Sequence, residues 1–105
     1  MESLSYKAKI VYAAMDMLNA RSSTQTTNSY MVLDLISENE DLAQHELLKD
    51  LSEQQFVDYI MDMTIKGVSA LMSSLAKKDI AVKTEPHNIY IDGIQRTVRE
   101  YFLIK

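Results

Sequence analysis

Apolar residues recur at helical spacing as far as Lys78 and at alternate positions after it. Ile10, Val11, Ala14, Met17 and Leu18, extended by Ala8, form one stripe, which predicts a helix over Ser5–Ala20 with Ser5 as its cap. Arg21 to Ser29 breaks the pattern, and Ser22 to Ser29, wholly polar, reads as a loop. Thr27 or Asn28 caps a second helix to about Ser37, with Met31, Val32, Leu35 and Ile36 inward. Glu38-Asn39-Glu40-Asp41 breaks the pattern, and a short helix to about Lys49 buries Leu42, Leu47 and Leu48. Ser52 and Gln55 have capping-box spacing ahead of a stripe of Phe56, Val57, Ile60 and Met61. Thr64 caps a further helix from Ile65 to about Lys78, with Val68, Leu71, Met72 and Leu75 at i, i+3, i+4 and i+7.

Beyond Asp79 the period becomes two. Ile80 to Glu85 predicts a first strand, and Asp92-Gly93 is a strong signal for a two-residue hairpin turn. That turn sets Ile91 opposite Ile94 and Ile89 opposite Arg96. Continuing the count sets Thr84 opposite Tyr101 and Val82 opposite Leu103, so one long hairpin runs from Ala81 to Ile104. Pro86 donates no ladder hydrogen bond and must then sit at a bulge or an edge. A shorter hairpin turning at Pro86-His87-Asn88 is the competing register.

A chain of 105 residues is one domain by size, with 47% hydrophobic and 25% charged residues as in ordinary globular proteins. Seven methionines and no tryptophan suit a core with adaptable filler. With no cysteine there is no disulfide, thiolate zinc site or cysteine nucleophile. Glu2, Lys7 and Lys9 interrupt any leader-like run over Met1 to Ile10, and no stretch is long and apolar enough to span a membrane. A cytoplasmic location is expected, with no membrane partner.

The net charge of −4 argues against nucleic acid, but its distribution changes the picture. Between Glu38 and Asp62 eight acids face Lys49 alone, whereas from Lys66 to Lys105 seven bases outnumber four acids. Positive charge therefore gathers on one module, where a nucleic-acid surface needs it. With Val68, Leu71, Met72 and Leu75 buried, the other side of their helix shows Lys66, Ser69, Ala70, Ser73 and Lys77. Short polar side chains let a helix enter a major groove about 12 Å wide, while lysines reach the flanking phosphates. The plain alternative is a solvated helix face beside a structural hairpin.

The run from Thr64 to Ile80 has a small polar start, the Val68-Ser69 step, a later leucine, and Lys77-Lys78 ahead of an apolar residue. In these features it resembles the recognition helix of winged helix-turn-helix regulators such as the MarR-like group. The resemblance covers Ser52 to Ile104, about half the chain. It departs at Asp79, where the family usually has glycine, so the helix is expected to end without its favoured left-handed residue. The resemblance implies an α+β winged helix of four or five helices and a C-terminal β-hairpin wing. Residues 1–50 would be a helical half, 52–79 the helix-turn-helix and 80–104 the wing. By the same resemblance Thr64, Lys66, Ser69, Ser73 and Lys77 face DNA, with Lys83, Arg96 and Arg99 of the wing near phosphate or minor groove. Asp58 and Asp62, on the first helix of the motif, oppose this.

No other chemistry stands out. His45-Glu46 begins a zinc-protease pattern, but Lys49 occupies the place of its second histidine, and His45 reads as a surface residue. His87 has no evident metal partners, the acids lack calcium-loop spacing, and Gly67 and Gly93, the only glycines, make no phosphate loop. The six tyrosines are scattered and read as half-buried. Neither an enzyme nor a cofactor is expected. The expected function is double-stranded DNA binding by a small transcriptional regulator, as a homodimer, of a kind that suits a phage or mobile element. The helices Ser5–Ala20 and Asn28–Ser37 are candidates for the dimer contact. The alternative is a winged-helix protein-interaction module, an inhibitor or adaptor taking a host protein.

Overall fold

The structure is a computed structural model that describes residues 4–105, so Glu2, weighed above against a leader, lies outside the described residues. Among these are four α-helices, α1 (Tyr6–Met17), α2 (Ser29–Glu38), α3 (Glu53–Met61) and α4 (Ile65–Lys77). They are followed by a C-terminal antiparallel hairpin of β1 (Ala81–Lys83), β2 (His87–Ile91), β3 (Ile94–Val98) and β4 (Tyr101–Leu103), an α+β arrangement. No helix among the described residues is long and apolar enough to cross a membrane.

The helix starts follow the capping residues. Ser5, Asn28, Ser52 and Thr64 each accept a backbone N–H of the first turn, and Ser52 with Gln55 completes the capping box. The short helix expected after Asn39 is instead two 3₁₀ segments, Glu40–Gln44 and Glu46–Leu48. They still bury Leu42 and Leu48.

α1 is the centre of the core. Ile10 to Met15 are all buried, with α2, α4, β4 and both 3₁₀ segments packed around them. Ala13 and Ala14 allow that close approach, so burial ignores the amphipathic stripe, and Met17 at the stripe's end is left partly exposed. The apolar surface of α1 is taken up by the monomer's own core. α4 packs on α1, α2 and β1 through Val68, Met72 and Leu75, whereas α3 leans on α1. On α3 only Phe56 of the expected stripe is buried; Val57 and Met61 face solvent because no element covers that side.

Asp79 corrects the expectation for the end of α4. It adopts the left-handed conformation itself, at φ 59°. Its N–H bonds Ala76 and that of Ile80 bonds Leu75, a Schellman closure. Asn19 ends α1 in the same way, at φ 60°.

The long hairpin forms and the Pro86-His87-Asn88 turn does not. Ile91 pairs with Ile94 and Ile89 with Arg96 around Asp92-Gly93, whose φ values of 52° and 78° are those of a type I′ turn. The base differs from the expected register by one residue: Lys83 pairs with Tyr101 and Ala81 with Leu103. Thr84, Glu85 and Pro86 stand against only Arg99 and Glu100, so the proline sits at a bulge. The bulge rotates the outer ribbon. Val98 and Tyr101, three residues apart, are both buried, although an unbroken strand would turn them to opposite faces.

The Arg21–Ser29 segment is not a free loop. Thr27 exchanges two backbone hydrogen bonds with Tyr101, and Leu103 donates to Ala20, so β4 lies between β1 and this segment. Thr27, Asn28 and Ser29 are buried despite their polarity.

Candidate nucleic-acid interface

α4 is held by its buried row and offers the opposite row to solvent. Lys66, Ser69, Ala70 and Lys77 are exposed, and Ser73 is half-buried. The rise of a helix puts Lys66 and Lys77 about 16 Å apart along its axis. Thr64 is exposed but committed as the cap, accepting from the Gly67 N–H at 3.0 Å. Glycine suits that turn, since a Cβ at position 67 would meet the Thr64 hydroxyl at 3.2 Å.

The root of the ribbon lies beside the first half of α4. Ile65 and Ser69 of α4, Thr97 and Arg99 of the ribbon, and Ser29 and Tyr30 of α2 line one cleft of about 260 Å³. Ser69 and Arg99 thus meet in one cleft. Ser29, Tyr30 and Thr97 are additions that sequence spacing does not reveal, because they arrive through long-range packing of α2 and the hairpin. Lys83 at the base and Arg96 on the outer ribbon are also exposed, but neither lines this cleft.

The charges fall in favour of the basic face. Among the described residues, ion pairs involve Lys7, Arg21, His45 and His87, and none involves Lys66, Lys77, Lys83, Arg96 or Arg99. Glu100, adjacent to Arg99 in sequence, is turned inward. Its carboxylate accepts from the Thr26 hydroxyl and the Asn28 amide and lies 3.4 Å from His87 Nε2. Asp62 is 4.0 Å from Lys7, and Asp58 accepts from Gln54. Three exposed acids work against the face: Asp79 at the end of α4, Glu85 at the bulge, and Asp92 at the ribbon tip, where a basic residue would serve a minor groove better.

His45 is not placed as expected, whereas His87 lies exposed in the ribbon. His45 has only 14% of its side chain exposed and meets Asp16 at 3.0 Å, a structural contact rather than a surface position. The tyrosines divide: Tyr12 and Tyr101 are buried, Tyr90 is largely exposed, and the others lie between. No family model, no curated protein and no solved structure matches this chain.

Proposed function

We propose that the chain binds double-stranded DNA as a small winged-helix regulator, with α4 entering the major groove and the ribbon against the neighbouring backbone. The observation that carries this is the shared cleft of Ser69 and Arg99, which sets a short polar helix face beside an exposed guanidinium. Serines and an alanine allow close approach to base edges, and the ends of α4 supply Lys66 and Lys77 for phosphates. With a chain charge of −4 the attraction is local, so affinity is modest and steeply dependent on salt. A homodimer, with two such faces on one duplex, raises affinity without any new contact.

The test is a mobility shift with random-sequence duplex at low and at high salt. Retardation at low salt that vanishes with added salt is expected. Duplex left unshifted at low salt overturns the proposal.

A further inference from the structure

The outer side of α2 carries a row of which only Leu35 packs in part against the core. Met31, Asp34, Leu35 and Glu38 follow i, i+3, i+4 and i+7, one straight line beside the buried row of Val32 and Ile36. With Leu18 beyond the end of α1, Met31 and Leu35 floor an open groove of about 720 Å³. A second groove, about 490 Å³, adjoins it across Glu38, Asn39 and Glu40 and has Ala43, Phe56 and Val57 in its wall. Met31 is 43% exposed and Val57 36%, so both offer apolar surface to a partner.

The rim is acidic. Asp34, Glu38, Glu40, Asp41 and Glu53 line the two grooves, no base does, and among the described residues none of the five forms an ion pair. An apolar floor between uncompensated acids fits a segment whose apolar side chains fill the floor while lysines or arginines reach the rim. The walls are helical, so they present no free strand edge, and a strand cannot add here. Another copy of this chain is a poor match, because its basic helix face, Lys66-Ser69-Ser73-Lys77, lacks apolar anchors. Nucleic acid is repelled by the rim.

We infer that this double groove docks a basic amphipathic helix of another protein. The site flanks the buried row of α2, and it stands whether or not α4 binds DNA.

The test titrates the isotope-labelled full chain with a synthetic leucine–lysine amphipathic helix of about 18 residues, long enough to hold helical form when bound. Saturable binding is expected, with amide shifts gathered on Met31, Asp34, Leu35 and Val57. A peptide of the same charge with glutamine for leucine should bind at least about 10-fold more weakly, which corresponds to about 1.4 kcal/mol. The exposed double variant Met31→Lys, Asp34→Lys should lose at least as much while keeping its far-ultraviolet circular dichroism. Single variants at the same positions serve if the double variant unfolds. The inference is overturned by shifts that scatter or gather elsewhere, by equal binding of the glutamine peptide, by unchanged binding of the folded variant, or by no saturation at millimolar peptide. It is also overturned if the same amides shift on simple dilution of the chain, which would make a second copy the occupant.

Discussion

His45 Nε2 lies 3.0 Å from Asp16 Oδ2, joining the end of α1 to the segment between the two 3₁₀ turns. The other ring nitrogen accepts from the Leu47 N–H, which leaves Nε2 as the protonated nitrogen and the donor to Asp16. Arg21 approaches Asp16 from the other side at 2.6 Å and also donates to the Lys105 carbonyl and the Tyr12 hydroxyl. One carboxylate thus ties α1, the 3₁₀ region and the C-terminal strand end together.

The hydrogen bond from Arg21, then that from His45, holds the Asp16 carboxyl below its ordinary value of 3.8. A carboxyl depressed in the folded state stabilises at pH above the ordinary value, and that contribution is lost as pH falls through the lower folded value. Asp16→Asn should therefore cost about 1 kcal/mol at neutral pH, the figure being kept low because the side chain is 35% exposed. It should also flatten the decline of stability below the ordinary carboxylate range. Urea titrations of both proteins at neutral pH and in acid measure this, and parallel declines would contradict it.

Asp79 at φ 59° makes a separate prediction. Glycine takes this conformation without strain, so Asp79→Gly should stabilise by about 0.5–1 kcal/mol. In a domain of this size that raises the thermal midpoint by a few degrees. Asp79→Val, β-branched at a left-handed position, should lower it. A thermal melt of the two variants decides, and a lower midpoint for the glycine variant would sink the account.

The parts of the fold legible in the sequence are those set by neighbours in the chain. Ser5, Asn28, Ser52 and Thr64 announced their helices because a cap acts on the next three residues, and Asp92-Gly93 fixed Ile91 against Ile94 for the same local reason. What depended on distant packing was not legible. The stripe on α1 gave no sign that Ala13 and Met15 on its other side would also be covered. Val57 and Met61 looked like core because nothing local says that α3 stays at the margin. Polar Thr27 and Asn28 read as loop, although both are buried, Thr27 paired with Tyr101 and Asn28 donating to Glu100. The basic row of α4 was visible as a period, but the arrival of Tyr30 beside Ser69 and Arg99 was not, since it rests on how α2 meets α4.

The bulge gives a prediction about the ribbon. Deleting Glu85 would set two residues against Arg99 and Glu100, and the ladder would run flush from Lys83 to the tip. The rotation that buries both Val98 and Tyr101 is then lost, and one must turn outward or the strand must distort. Exposing a valine costs about 1.5 kcal/mol or more. Chemical denaturation should show a loss of that order. An unchanged midpoint would mean that the bulge does not set the ribbon's direction.

The last prediction separates the proposed interface from a general attraction of cations to DNA. Lys66 and Lys77 are exposed and unpaired among the described residues, so Lys66→Glu with Lys77→Glu should abolish duplex binding and leave the fold intact. On the proposed reading, Arg99→Ala would remove a single phosphate contact. It should weaken all duplexes alike and reduce the slope of log affinity against log salt by about 1. Lys49, equally exposed but set in the acidic middle of the chain, is the matched control, and Lys49→Ala should leave both affinity and slope unchanged. The three variants discriminate only as a pattern. Equal losses from Lys49 and from Arg99 would mean that DNA senses the chain's total charge, and the cleft shared by Ser69 and Arg99 would then have no special part in binding.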